Sequence, residues 1–284
     1  MCSIGTSLFD LDLWTNSDTS RLEQSRSQRI LWLLEELQVP YEIEIFHRNK
    51  KTMLAPPELK KVHALGKSPI ITVTTADSKE PTVVAESAFI VEYLLDHFGS
   101  GSTLLPKRYK EGQEGKVGGE TEEWLRFRYF MHYAEGSLMT LMLVALVALS
   151  EFSEIKIRIK QIYLTSYPDI KSAPVPFFIR PITNGVAGKI NSGFLEPNFK
   201  THFTFLEDQL KTSPDNGQYL CGPKLTGADI LLSFPLIAGK GRSGLSKEAY
   251  PKLWAYVEGL EAEPGYLKAV EKIKEIDGKF EACF

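Results

Sequence analysis

One pattern between residues 66 and 99 restricts the fold of this chain more than any other. An apolar run at 70–73 follows a Ser-Pro dipeptide, and a second short run at 81–84 lies beyond a polar, turn-like segment. Apolar residues at helical spacing come next, at 88–95. This order predicts a β-hairpin followed by a helix that begins near Glu86.

The two ends of this pattern carry groups that suit a small acidic peptide. A proline at the head of a strand is a good candidate for a cis peptide bond. A cis Ser68–Pro69 bond would turn the backbone N–H and C=O of Ser68 toward an extended peptide. Glu86 and Ser87 lie where the next helix begins, and the hydroxyl and free N–H groups of a helix N-terminus suit a carboxylate. The sequence therefore predicts a peptide site between Pro69 and Ser87.

Strands and helices also alternate upstream of the hairpin. Residues 8–14 alternate like a strand, a polar loop covers 15–24, and a helical apolar pattern then ends before Pro40. A second alternating strand spans 41–46, and the basic connection 47–64 carries a short helix near its end. The order β-α-β-α-β-β-α predicts an α/β layer.

A glycine-rich break at 100–119 separates this layer from a helical remainder. Helical patterns then follow at 120–150, 199–210, 226–239, 251–263 and 264–276. We predict one domain at 1–99, a linker at 100–119 and an all-α domain at 120–284. Within that domain, Thr226 and Asp229 form a capping box that begins a core helix, so Asp229 is expected to be structural.

Composition and charge argue against several classes of function. The 284 residues carry a formal net charge of -3 and a pI near 6.0, which offers nucleic acid no general attraction. The three cysteines lie far apart without metal-ligand spacing, so we predict no metal site and a reducing compartment. The longest apolar run, 138–149, is too short to span a bilayer, and we see no secretory signal.

Three further segments, 25–37, 55–63 and 225–231, together with the hairpin region resemble motifs of the glutathione transferases. Their order and spacing are similar to those of the fungal branch typified by the yeast GTT-type transferases, over most of residues 21–275. The resemblance implies a thioredoxin-like N-terminal domain, an all-α C-terminal domain, glutathione as co-substrate and a homodimer. It also implies a cytoplasmic protein, peripheral to the endoplasmic reticulum in the yeast relatives.

The resemblance also implies roles for residues of the predicted peptide site. Ser68, beside a cis Pro69, would bind the cysteinyl backbone of glutathione through its main chain. Ser87 would hold the γ-glutamyl carboxylate, and Glu86 would help to place the amino group. The nearby cations Lys67 and Lys51 would lie close to the glycyl carboxylate, with a solvated basic loop as the alternative.

Ser25 is the candidate for activating the thiol. Lowering a thiol pKa of ~8.5 by ~2 units needs about 2.7 kcal/mol. A hydroxyl hydrogen bond to the thiolate supplies roughly 1.5–3 kcal/mol, and a helix N-terminus about 0.3–2 kcal/mol. Ser25 precedes the first helix and takes the place of the family's activating Ser or Tyr by resemblance. A plain N-cap is the alternative, and Ser20, Thr19 and Ser27 remain substitutes.

The long helical pattern after the linker offers an apolar wall for a second substrate. Tyr129, His132 and Tyr133 lie on the helix that faces the first domain in the family, where they would bind an electrophile. Aromatic core packing is the alternative for these side chains. Cys221, by contrast, is typical of a buried loop thiol.

The main function predicted is conjugation of the glutathione thiolate to a mostly apolar electrophile, in detoxification and with glutathione-dependent peroxide reduction as a side activity. The alternative is a glutathione-binding regulatory or non-catalytic protein on the same scaffold. A thioltransferase mechanism is disfavoured because Ser25, and not a cysteine, precedes the first helix.

Overall fold

A four-stranded sheet with intervening helices forms the first third of the chain. The computed structural model describes residues 10–16, 26–46, 55–74, 80–146, 188–240, 244–278 and 280. In chain order the first elements are β1 (Asp10–Asn16), α1 (Gln28–Leu37), β2 (Glu42–Phe46), α2 (Leu59–Val62), β3 (Ile70–Thr74), β4 (Thr82–Ala85) and α3 (Ser87–Phe98).

The sheet has the strand order β2-β1-β3-β4. β1 is parallel to β2, and α1 connects the two, whereas β3 is antiparallel to both of its neighbours. The predicted order of elements and the thioredoxin-like fold class are confirmed. The prediction of a polar loop at 15–24 is wrong for Thr15 and Asn16, which extend β1 by pairing with Ile45 and Phe46, and the rest of that segment lies outside the described residues.

Beyond residue 100, the regular secondary-structure elements of the described residues are helices and short helical turns. They are α4 (Glu122–Tyr133), a π-helical turn (Ala134–Met139), a second π-helical turn (Asn191–Leu195), α5 (Glu196–Lys211), a 3-10 turn (Pro214–Asn216), α6 (Gly227–Gly239), α7 (Pro251–Ala262) and α8 (Pro264–Asp277). The predicted all-α second part is therefore confirmed for the described residues. Among them, none of the helices has both the length and the apolar character that crossing a membrane requires.

Helix α1 is the element that joins the two parts of the molecule. Every residue from Gln28 to Leu34 is buried, because α1 contacts α3 of the first part and α6 and α8 of the second. The Trp32 ring meets that of Tyr266 edge to face at 5.4 Å. This packing fixes the N-terminal end of α1 relative to the helical part.

Helix α6 is the core of the helical part, and all of its residues are buried. The predicted capping interaction is present: the Thr226 N–H donates to Asp229 Oδ2 at 2.9 Å, and Asp229 is fully buried. A Cβ on Gly227 would lie 2.6 Å from Leu95 Cδ1, so a larger residue here would require the Leu95 side chain of α3 to move. The first turn of α6 is thus held against the sheet-bearing part.

Candidate active site

The two predicted peptide-binding motifs lie side by side at one end of the hairpin. Ile70 of β3 pairs with Ala85 of β4, so Pro69 and Glu86 are neighbours just beyond the paired strands. The Ser68–Pro69 bond is cis, as the sequence predicted. Glu86 has φ 77° and ψ 119°, an uncommon conformation for a non-glycine residue. It directs the chain from the sheet into α3, whose first residue is the buried Ser87.

The first turn of α1 meets this end of the hairpin. The hydroxyl oxygens of Ser27 and Ser68 are 2.8 Å apart and share a hydrogen bond in which either group is the donor. Ser27 is only 1% exposed, which argues against it as the thiol-activating hydroxyl. Ser25, the residue predicted for that role, lies outside the described residues, as does Lys51. Three backbone segments therefore converge here: the start of α1, the cis-proline bend and the start of α3.

Arg29, which was not among the predicted site residues, lies next to the point where these three segments meet. Its guanidinium is fully buried and donates to the Leu231 carbonyl at 2.6 Å and to Ser87 Oγ at 3.1 Å. It also lies 5.6 Å from the centroid of the Phe234 ring. Burial lowers the pKa of Arg29, and the adjacent Glu135 carboxylate opposes that change.

A signal for Arg29 was present in the sequence. It precedes Leu33 and Leu37 by four and eight residues, so it lies on the apolar stripe of α1 and not on a solvated face. A buried arginine requires partners, and apart from the Arg26 carbonyl those of Arg29 come from distant segments. The spacing pattern alone therefore points to the residue but not to its partners.

Glu135 connects the helical part to this site. It lies in the π-helical turn after α4, a feature that occurs often at functional sites. Its Oε1 is 2.6 Å from Arg29 Nη2, and its Oε2 is 3.3 Å from Arg26 Nη1. Among the described residues the buried Oε1 has no hydrogen-bond donor, so its contact with Arg29 is an ion pair without linear hydrogen-bond geometry. Two arginines thus share one carboxylate, so this group of three described side chains carries one excess positive charge.

The two exposed residues of the predicted peptide site lie at its rim. Lys67 directly precedes Ser68, and Glu86 directly precedes Ser87. Pro69, between the two motifs, is buried. Both charged side chains are therefore accessible to a peptide that lies along the end of the hairpin.

The predicted electrophile residues share one cavity of about 340 Å³. Its lining consists of Arg128, Tyr129, His132, Tyr133 and Ser137. Tyr129 stacks on Tyr133 with ring centroids 5.8 Å apart, and Arg128 pairs with Glu92 of α3. The structure therefore brings the three predicted residues together, with Arg128 and Ser137 beside them.

Within this cavity the hydroxyl of Tyr133 is already engaged. It lies 2.7 Å from His202 Nδ1, and the Tyr133 side chain is largely buried. Burial raises the pKa of Tyr133 and lowers that of His202. A neutral imidazole that accepts from a protonated phenol satisfies both shifts. Tyr133 is thus a wall residue held in place by His202, while Tyr129 and His132 are exposed.

Cys221 does not belong to this site. It is 2% exposed, and burial raises the pKa of its thiol well above the usual value. A buried thiol that stays protonated is a poor nucleophile. Within the described ranges, no group of three or more histidine, cysteine, aspartate or glutamate side chains has an arrangement that would hold a metal ion.

Known proteins resemble the chain in sequence and in fold. Models of the glutathione S-transferase N-terminal and C-terminal domains match residues 25–97 and 169–272. Glutathione S-transferase 1 of Saccharomyces cerevisiae is 32% identical over 259 residues, which are 91% of this chain and 96% of the yeast protein.

Two solved structures show the same fold. A glutathione S-transferase from Actinobacillus pleuropneumoniae has a TM-score of 0.57 and 27% identity, covering 96% of this chain and 94% of its own. A homologue from Lodderomyces elongisporus, solved with two glutathione molecules per subunit, has a TM-score of 0.58 and 18% identity, covering 93% and 98%. With both domain models matched and a yeast relative aligned over nearly its whole length, the chain belongs to the glutathione S-transferase family.

Proposed function

We propose that this enzyme binds glutathione across the end of the hairpin and transfers its thiolate to an apolar electrophile. The convergence of the α1 start, the cis Ser68–Pro69 bend and the α3 start is the observation that supports this proposal. An extended peptide on Ser68 would form strand-like hydrogen bonds with the backbone. Its acidic end would then meet Ser87 and the N-terminus of α3.

The charged residues of the site divide between the two ends of glutathione. Ser87 and the first N–H groups of α3 would hold the γ-glutamyl carboxylate, and the exposed Glu86 would accept from the ammonium beside it. Lys67, at the opposite rim, and Lys51 would be near the glycyl carboxylate. The strained backbone of Glu86 supports this assignment, because such conformations cluster at ligand-binding sites.

The thiol of a peptide in this position would lie near the N-terminus of α1. Ser25 would donate a hydrogen bond to the thiolate there. The start of the helix and the net positive charge of the Arg26, Arg29 and Glu135 group would both favour the anion. These contributions lower a thiol pKa without a metal or a catalytic histidine.

The electrophile would bind in the aromatic cavity of α4. Tyr129 and His132 offer exposed rings, and Tyr133 forms the wall behind them. Such a surface suits a flat, mostly apolar molecule. The same thiolate would reduce an organic hydroperoxide that enters this cavity, which gives the proposed peroxidase side activity and a role in detoxification.

Steady-state conjugation of glutathione to chlorodinitrobenzene tests the main proposal. We expect turnover by the wild-type enzyme and a rise in the KM for glutathione in Ser87→Ala. Ser25→Ala should lower kcat, because about 1.5–3 kcal/mol of thiolate stabilisation is lost. Glutathione binding without conjugation of any electrophile would favour the regulatory alternative instead.

We also propose a homodimer formed by α3 and α4 and a cytoplasmic location, peripheral to the endoplasmic reticulum. Phe89 and Leu125 are 54% and 51% exposed, and large apolar side chains on two adjacent helices favour self-association. Light scattering should give twice the monomer mass, and Phe89→Asp should give the monomer. Cell fractionation would test the location.

A further inference from the structure

The hydroxyl of Ser87 has a hydrogen-bond donor but no acceptor in the described part of the chain. Arg29 Nη2 donates to Ser87 Oγ at 3.1 Å, and the serine is 4% exposed. A serine hydroxyl accepts through its lone pairs and donates through one proton. Since a guanidinium can only donate, Arg29 occupies a lone pair and leaves the Ser87 proton directed elsewhere. A buried donor of this kind calls for an acceptor.

The charge of Arg29 is also only partly balanced. Glu135 Oε1 approaches Arg29 Nη2 at 2.6 Å, but Arg26 shares the same carboxylate through Oε2. Because Arg29 is fully buried, its charge is screened less than a surface charge and acts on groups close to Ser87. Because Arg29 donates to Ser87 Oγ, this charge polarises the hydroxyl and strengthens the hydrogen bond that the hydroxyl donates to an anion.

Arg29 is held in place from both parts of the molecule. The Leu231 carbonyl of α6 accepts at 2.6 Å, and Glu135 approaches from the π-helical turn after α4. Ser87, by contrast, begins α3 of the sheet-bearing part. The guanidinium therefore links the helical part to Ser87, the residue that we propose contacts the ligand.

We infer that Arg29 is a positioning residue for the γ-glutamyl carboxylate: it orients the Ser87 hydroxyl as a donor to the carboxylate, and Glu135 and Leu231 hold it in place. This inference rests on the proposed glutathione site. It adds a buried cation, supplied by α1 and anchored by the helical part, to a carboxylate site on α3. Binding at the acidic end of the peptide is therefore coupled to the same π-helical turn that continues to Ser137 of the aromatic cavity.

Isothermal titration with glutathione tests the inference in wild type, Arg29→Met, Ser87→Ala and the double variant. We expect Arg29→Met to weaken the Kd about 10-fold or more, as for the loss of a charge-assisted hydrogen bond. In the Ser87→Ala background the same change should weaken the Kd less than about threefold, since Arg29 acts through Ser87. The KM for glutathione should rise in parallel with the Kd.

Arg126→Met is the matched control. Arg126 is an arginine of α4 with a 13% exposed side chain, and it donates to the carbonyls of Thr212, Gln209 and Leu220. Its loss should lower the melting temperature as Arg29→Met does, and leave the glutathione Kd unchanged. If Arg29→Met does not fold, Arg29→Met with Glu135→Met replaces the ion pair by apolar groups, a change that proteins often tolerate. The same loss of affinity is expected.

Each outcome separates the two proposals. A wild-type protein that does not bind glutathione would refute the proposed site and the inference with it. Wild-type binding that stays unchanged in the Arg29 variants would overturn the inference alone. Losses for Arg29→Met and Ser87→Ala that simply add in the double variant would also overturn it, because they would show that Arg29 does not act through Ser87.

Discussion

Replacement of Asp229 by alanine should destabilise the fold while sparing the chemistry. Its carboxylate, fully buried, accepts from the Thr226 N–H at 2.9 Å, the Leu220 N–H at 3.1 Å and the Tyr256 hydroxyl at 2.8 Å. The Thr226 hydroxyl also donates to it at 2.6 Å, so removing the carboxylate deprives four buried donors of this acceptor, at about 1–3 kcal/mol each. Burial raises the pKa of Asp229 because the charged carboxylate is poorly solvated inside the protein. Its removal ends this unfavourable desolvation and offsets part of the loss. We expect a net loss of about 3–5 kcal/mol.

Urea denaturation followed by tryptophan fluorescence would measure this loss, and calorimetry should show a decrease in Tm of roughly 6–15 °C. Asp208→Ala is the control, since that carboxylate is 59% exposed and forms a surface pair with Lys211. It should cost less than about 0.5 kcal/mol. At a temperature where Asp229→Ala is folded, its kcat should be near that of wild type. A stability loss below about 1 kcal/mol, or a large loss of kcat in folded protein, would refute the structural role.

Three further predictions concern stability and substrate binding. Burial opposes ionisation of Glu35, but hydrogen bonds from Lys272 and Tyr41 outweigh it and lower the pKa. Because the folded-state pKa lies below the unfolded value, Glu35 stabilises the protein above about pH 4.5 and that contribution is lost as pH falls. Glu35→Gln should therefore flatten the dependence of the melting temperature on pH between about pH 3 and 6, the range in which carboxylates titrate. An unchanged pH dependence would show that these hydrogen bonds do not stabilise the ionised Glu35. Gln28→Leu should raise the free energy of unfolding by about 1–3 kcal/mol, because neither polar atom of this buried amide has a partner among the described residues. A lower free energy of unfolding in urea denaturation would show that the amide is needed. Tyr133→Phe removes the hydroxyl that meets His202, and should cost about 1 kcal/mol of stability and leave the KM for an apolar electrophile within about threefold; a much larger KM would mean that the hydroxyl contacts the substrate.

The sequence predicted those parts of the fold that local chemistry determines. Two apolar runs around a turn-like segment predicted the hairpin, a Ser-Pro dipeptide at its head predicted the cis bond, and the spacing of Thr226 and Asp229 predicted the start of α6. The end of β1 was wrong by two residues. Thr15 and Asn16 are polar and suggest a loop, but the parallel pairing with β2 determines their conformation.

The partners within the site depend on long-range packing and were not predictable. Arg29 contacts Leu231, which lies some 200 residues along the chain, and helical periodicity carries no information on such a contact. The π-helical turn that presents Glu135 departs from the 3.6-residue period on which the pattern depends. The roles of all the predicted site residues, Ser25 and Lys51 included, and the domain limits 1–99, 100–119 and 120–284 stay predictions.

The site should stabilise the thiolate of bound glutathione, and the ultraviolet absorbance of the thiolate measures this stabilisation. At pH 7 only a few per cent of free glutathione is ionised at its thiol. On titration with the enzyme we expect thiolate absorbance that saturates with the binding curve, and that is reduced in Ser25→Ala at saturating glutathione. Saturated binding in which bound glutathione absorbs no more than free glutathione would contradict the account.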